Sequence, residues 1–216
     1  MVQPQRRDGE KRRDAILNAA LRCFTRTGIL KTSLEDIRAA SGSSQSSLYH
    51  HFGGLQGIAH ALLQRSFEHM FTDLRAALEG VSTARAAVHA LTHAYLSWVF
   101  QNREEATFVY QMTSLEMPED QREPFLAFKA ELYAPIVERL SPFILKGELP
   151  NLPPQLYDVI VLGPAHEAGR RWTGDAPYLE QAWLLQHVPE VAWNTVKYLR
   201  RQCDSAPGTP PQTPGK

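Results

Sequence analysis

The sequence predicts an all-α protein, on three observations. Apolar residues recur at helical spacing in successive segments, no stretch alternates with the period of a strand, and Gly, Pro and small polar residues fall where caps and turns belong. Hydrophobic residues make up 43% of the chain, enough to fill a core, which excludes wholesale disorder. No apolar run reaches the roughly 18 residues of a membrane span. The first residues are polar and charged, unlike a signal peptide, so a cytoplasmic protein with no membrane partner is expected.

Each helix follows from its own pattern. Over 14–27 the apolar positions Ile16, Ala19, Ala20, Cys23 and Phe24 form one stripe, and Gly28 supplies the C-terminal stop. Thr32-Ser33-Leu34-Glu35 reads as a Thr-x-x-Glu capping box opening a short helix over 33–40, with Leu34 and Ile37 facing inward. Gly42 breaks the chain, and Ser44 caps a second short helix over 45–51. From Leu55 the positions Ala59, Leu62, Leu63, Phe67, Met70, Phe71, Leu74 and Leu78 define one long amphipathic helix, ended by Gly80. Further helices are predicted over 83–101, 104–113, 121–140, 154–172 and 177–202. Pro135, Pro164 and Pro189 fall inside them and predict kinks or breaks. Residues 204–216, rich in proline, read as a disordered tail.

The formal net charge is zero, yet residues 1–52 hold nine Lys or Arg against five acids, which leaves the remainder at −4. A basic N-terminal quarter on a neutral chain predicts a local polyanion contact rather than a generally adhesive surface. Helices 33–40 and 45–51, joined by a Ser-Gly-Ser turn, have the helix-turn-helix layout, in which the second helix enters the major groove and the first braces it. In Ser44-Gln45-Ser46-Ser47-Leu48-Tyr49-His50-His51-Phe52 only Leu48 and Phe52 can serve a core. The others are small or hydrogen-bonding, as suits a helix brought close to base edges and phosphates.

Ile16-Leu17-x-Ala19-Ala20-x-x-x-Phe24 with Gly28, Thr32-Ser33-Leu34-x-x-Ile37-x-x-x-Ser41-Gly42, and Ser44 with Leu48-Tyr49-His50-His51-Phe52 together resemble the N-terminal domain of the TetR family of bacterial regulators. The resemblance covers residues 12–70 and implies a three-helix helix-turn-helix head on a helical-bundle ligand-binding and dimerisation domain. It divides the chain into a DNA-binding domain over 10–70 and a regulatory and dimerisation domain over 71–203. It further implies a ligand-responsive transcriptional repressor: a homodimer on palindromic double-stranded DNA, released by a small apolar effector. Thr32 and Ser33 are then placed to hydrogen-bond phosphate at a helix N-terminus. Ser44 caps the recognition helix and touches phosphate, Gln45 grips adenine, and Ser46 and Ser47 reach bases or phosphates. Tyr49 and His50 resemble the family's phosphate-contacting pair, while His51 either joins them or packs against the first helix. Arg6, Arg7 and Arg12 would form an arm on the minor groove or backbone. Two departures stand out. Ser43 replaces the family's usual turn valine, and Gly53-Gly54-Leu55-Gln56 lacks the lysine that usually opens the fourth helix, leaving only backbone N–H groups there for phosphate.

Beyond the head, the family plan implies a dimer bundle from the last two helices. Gly163, Ala165 and Gly169 supply small residues for close packing, and Leu184, Val188, Val191, Thr195 and Tyr198 lie near one stripe flanked by Trp183 and Trp193. The competing reading is that these faces only close the protomer's own core. Effector-pocket candidates are Phe67, Met70, Phe71, His93, Trp98, Tyr110 and Met112, although aromatic residues at helical spacing more often form plain core. His89 and His93 share a helix face without a third ligand, so no metal or cofactor is expected. Cys23, on an apolar stripe and outside any C-x-x-C pattern, reads as a buried thiol. No Gly-rich phosphate loop, nucleophile elbow or His-Glu-x-x-His motif occurs, and His166-Glu167 lacks the second histidine, so no catalytic residue is assigned and an enzyme is not expected. The alternative function is a helical small-molecule-binding protein with a vestigial head. The polar surface of the head itself discriminates the two.

Overall fold

The computed structural model describes residues 4–116, 119–174 and 178–205, and among them every regular element is helical. Of the expected tail, 206–216 lie outside the described residues, whereas Asp204 and Ser205 still belong to the last helix.

Helix α1 (Pro4–Thr27) starts ten residues before the apolar stripe. Its early turns carry Arg, Lys and Glu, which favour a helix without burial, and residues 10–15 are exposed. After a 3₁₀ turn at Ile29–Lys31 come α2 (Leu34–Ser41), α3 (Gln45–Phe52) and the long α4 (Leu55–Ala77). Ile16, Leu17, Ala20 and Phe24 of α1 close over Ile37, Leu48, Ile58 and Leu62, all fully buried, so the stripe predicted for each head helix is the face it buries.

Helices α5 (Ala84–Gln101), α6 (Arg103–Ser114) and α7 (Glu119–Leu145) follow. Pro124, Pro135 and Pro142 all lie within α7, so the break expected at Pro135 does not occur. Each proline removes one backbone hydrogen bond, but Ile136, Leu140 and Phe143 are buried along the same helix, and that burial outweighs the lost bonds. Pro189 is likewise accommodated inside α10 (Gln181–Ser205). The helix expected over 154–172 is a composite: a single turn α8 (Pro154–Tyr157), a π-helical stretch at Asp158–Leu162, and α9 (Gly163–Thr173). Pro164 sits in the first turn of α9, directly after the π-helical stretch.

One continuous apolar core runs from Ile16 in α1 to Val196 in α10. Two features carry it across the head. Helix α4 extends from α3 into the bundle, and Phe24 of α1 stacks on Phe108 of α6 with ring centroids 5.4 Å apart. The head is therefore packed onto the bundle, not tethered to it.

Candidate nucleic-acid interface

The turn between α2 and α3 is set by Gly42, which closes α2 in the left-handed region at φ 63°. Ser44 then caps α3: its Oγ accepts the Ser47 N–H at 3.2 Å and lies 3.0 Å from Ser46 Oγ. Gly53, at φ 71°, ends α3 with its N–H donated to the Tyr49 carbonyl at 2.9 Å. These stops fix α3 as a rod of eight residues whose only fully buried side chain is Leu48. Gln45, Ser46, Tyr49 and His50 are exposed, and Ser47, His51 and Phe52 are half-buried. The hydrogen-bonding residues thus share one solvent-facing surface.

Basic groups flank that surface. Arg13 lays its guanidinium 5.5 Å from the Phe52 ring centroid. The His51 pKa is lowered, first by burial and then by the charges of His50, Arg12 and Arg13 around it. Its ring centroid is 5.2 Å from that of His50 and 6.0 Å from that of Phe52, so of its two expected settings it occupies an intermediate one, partly packed and partly open. Arg6, Arg7 and Arg12 belong to α1 and not to an extended arm. A helix about 10–12 Å wide does not itself enter a minor groove about 6 Å wide, so a helical start to α1 favours the DNA backbone over the minor groove for these arginines.

Thr32 and Ser33 depart further from expectation. Thr32 is buried at 4% exposure, and its hydroxyl donates to the Gly28 carbonyl at 2.8 Å, with the Cys23 carbonyl at 3.3 Å. It locks the end of α1 and faces no phosphate. The cap of α2 is Ser33, not Thr32. Ser33 Oγ accepts the Asp36 N–H at 3.2 Å, while the Ser33 N–H and O–H both point to Asp36 Oδ2 at 2.8 and 2.7 Å. Those bonds hold the Asp36 carboxyl below its ordinary pKa. With Glu35 and Asp36 in its first turn, the N-terminus of α2 is already neutralised, which disfavours a phosphate there. The first turn of α4 has no acid and no side-chain cap.

The bundle residues are redistributed more strongly. Phe67, Met70, Phe71, Trp98 and Tyr110 pack in the core, His93 is exposed, and of the seven pocket candidates Met112 alone lines one of the apolar cavities described below. The others are fixed by their neighbours. Phe71 meets Tyr133 edge-on at 4.7 Å, and Tyr95 and Tyr110 share a hydrogen bond of 3.0 Å, with burial pushing Tyr110 up to about 12. Gly169 of α9 serves the protomer, since a Cβ there would fall 2.5 Å from Tyr110 Oη and 3.3 Å from both Val99 methyls, whereas a Cβ on Gly163 would meet nothing within 4 Å. Ala165, Leu184 and Val188 are also buried within the chain, Gly163 and Thr195 are half-buried, and Val191 is exposed. The exposed large apolar residues of α8, the π-helical stretch and α10 include Leu156, Val159, Trp183, Val191 and Tyr198, with Tyr178 exposed just before α10. Their recurrence at 183, 191 and 198 on one helix was the signal available in the sequence.

Also unforeseen is a polar string at the π-helical stretch. Asp158 accepts a short hydrogen bond from Tyr133 and lies 3.8 Å from Lys129, whose ammonium sits 5.7 Å from the Phe67 ring centroid. It borders a narrow apolar cavity of about 50 Å³ between α5, α7 and the π-helical stretch. Cys23 is buried, as expected for a structural thiol. No group of three His, Cys, Asp or Glu able to hold a metal occurs among the described residues, and none of their helices is long and apolar enough to cross a membrane.

Residues 16–62 match the family model of bacterial regulatory proteins, tetR family. No curated protein matches the chain. Among solved structures, a putative tetR-family transcription regulator from Shewanella sp. PV-4 superposes with a TM-score of 0.68 at 21% identity, covering 85% of this chain and 96% of that one. The regulator PfmR from Thermus thermophilus gives 0.63 at 21% identity, with 84% and 97% covered. FadR from Bacillus subtilis, solved in complex with stearoyl-CoA, gives 0.70 at 16% identity, with 82% and 96% covered. At these identities the likeness carries the fold, and the family match extends over the head alone. The head over 16–62 thus matches the model of the tetR family of bacterial regulatory proteins, and the chain as a whole shares the fold of the solved regulators.

Proposed function

We propose that this protein is a ligand-responsive transcriptional repressor that binds a palindromic operator as a homodimer and leaves it when a small effector binds the helical domain over 71–203. The observation that supports it best is α3. Its exposed face is Gln45, Ser46, Tyr49 and His50, with Leu48 holding the opposite face in the core. A head kept only as packing would not need a capped, short, polar-faced helix flanked by Arg12 and Arg13. That is why the vestigial-head reading is set aside. Gln45 reads a base; Ser46, Tyr49 and His50 hold the backbone; and the uncapped N-terminus of α4 offers N–H groups where the family's lysine is missing.

The second copy is expected at the exposed face formed by Leu156, Val159, Trp183, Val191 and Tyr198. The lever connecting ligand to DNA is α4, continuous from the corner after α3 into the bundle. Two recognition helices must sit about 34–36 Å apart, so a few ångströms of tilt misregister one of them. A gel shift with DNA flanking the protein's own gene tests the reading. A retarded band, competed by the same duplex and not by a scrambled one, is expected. Absence of any sequence-selective band refutes it.

A further inference from the structure

A cleft of about 300 Å³ separates the head from the end of α6. Its floor is Phe24, and its walls come from Leu30 in the 3₁₀ turn, Leu55 in the first turn of α4, and Met112 and Leu115 near the end of α6. Three observations set it apart. First, its volume reaches the lower end of the range of small-molecule sites, whereas the inner cavity of about 50 Å³ holds little more than water and the larger clefts of about 430 and 610 Å³ are lined by charged residues such as Arg22, Glu104, Arg139 and Lys146. Second, Leu30, an apolar side chain at its rim, is 84% exposed. Third, Gln121 reaches the cleft with its Oε1 buried and without a hydrogen-bond partner among the described residues. A buried amide oxygen in that state gains from any group that bonds it.

The lining contains no Lys or Arg, its one carboxylate is Glu116, and burial lowers the pKa of its one imidazole, His60, so the lining favours an uncharged ligand over an anion. We propose that this cleft is a binding site for a small, uncharged, apolar molecule carrying one hydroxyl or amide group, the polar end bonded to Gln121 and the apolar body covering Leu30 and Leu55. A hydroxyl suits the site in either orientation of the Gln121 amide, since it both donates and accepts. Because the cleft is bounded by α4 on one side and α6 on the other, an occupant sets the angle between head and bundle. Its effect on DNA rests on the repressor reading above; its binding does not.

The full chain, labelled with ¹³C-methyl methionine, is titrated with straight-chain alcohols from hexanol to dodecanol. The Met112 methyl is expected to shift while that of Met70, buried in the core, stays in place. Affinity should rise about fourfold per methylene and stop rising once the cleft is full. Gln121→Leu should weaken binding about three- to tenfold through the lost hydrogen bond. Leu30→Asp, at an exposed position that leaves the fold intact, should weaken it at least about tenfold by placing a charge beside the ligand. The proposal is overturned if Met112 does not move with any alcohol up to its solubility limit, if Met70 moves instead, if affinity climbs without a length limit, or if both variants bind like the parent. The gel shift run beside it separates the two readings. An alcohol that occupies the cleft yet leaves operator binding unchanged refutes release by this ligand and leaves the site standing. An alcohol that acts on both is expected to change operator affinity about 5- to 150-fold.

Discussion

Gln45 and Tyr49 stand one turn apart on the exposed face of α3, and their chemistry separates them. A glutamine amide can pair bidentately with adenine, so Gln45→Ala should relax the consensus at one operator position, at a cost of about 1–3 kcal/mol per half-site. A phenol bonded to phosphate carries no sequence information, so Tyr49→Phe should weaken all sequences alike. Binding-site selection on the two variants distinguishes these outcomes, and an unchanged consensus for Gln45→Ala rejects the readout assignment. Thr32 belongs to the fold rather than to the DNA. Thr32→Val removes a hydroxyl that donates to backbone carbonyls of α1 and its C-terminal turn, and should destabilise the head by about 1–3 kcal/mol in urea unfolding. The sequence misled here for a definite reason. Thr32-x-x-Glu35 and Ser33-x-x-Asp36 are overlapping patterns of the same capping kind, and local spacing cannot say which hydroxyl the end of α1 will cover. Leu48 and Cys23 were legible because burial there follows from helical spacing alone.

At the scale of elements, the corner between α3 and α4 is the most constrained part of the head. Gly53 and Gly54 take φ of 71° and 138°, in the region that disfavours side chains, and Gly57 packs so that a Cβ would lie on the Phe52 carbonyl oxygen. In an open helix Gly→Ala gains about 1 kcal/mol. Gly57→Ala should instead lower stability, shift α4 off α3 and weaken operator binding, which denaturant unfolding and gel shifts on the same preparation can check; a more stable variant with intact binding would contradict the packing. Helix existence was legible in the pattern throughout, because each stripe became a buried face. Helix limits were less so. Helix α7 passes three prolines since its burial is non-local, and the π-helical stretch before α9 leaves no sequence period to find. Of the small residues of α9 read as contacts to a second copy, Gly169 is reached first by α5 and α6 of the same chain, whereas a Cβ at Gly163 would meet nothing within 4 Å.

For the molecule as a whole, two global properties follow from what is buried and what is left open. Burial lowers the pKa of His60, with Asp120 opposing, and of His89, with Glu190 opposing and Arg85 adding to the shift. Both folded values lie below the ordinary 6.5, so beneath that pH the unfolded chain binds more protons and stability must fall as pH drops. Thermal melts from about pH 7.5 to about pH 5.5 should show a falling midpoint, with a shallower slope in His60→Gln; a flat midpoint would deny the burial of these rings. The second property is assembly. Leu156, Val159, Trp183, Val191 and Tyr198 are between 42% and 65% exposed, on α8, the π-helical stretch and α10. An apolar face of this kind marks an interface, and a specific one buries about 1,600 Å² in all. The same face turned on itself by a two-fold axis would place two copies of α3 on one side, as two half-sites require. Light scattering at micromolar concentration should therefore give twice the 24.3 kDa chain mass. Val191→Glu, at 52% exposure, should leave the fold intact, yield the single-chain mass and lose operator affinity. Gly169→Ala provides the contrast: its Cβ meets Tyr110 and Val99 of its own chain, so it should lower the melting temperature without a matching rise in the dimer dissociation constant. A monomeric parent protein, or dissociation driven by Gly169→Ala but not by Val191→Glu, would place the interface elsewhere.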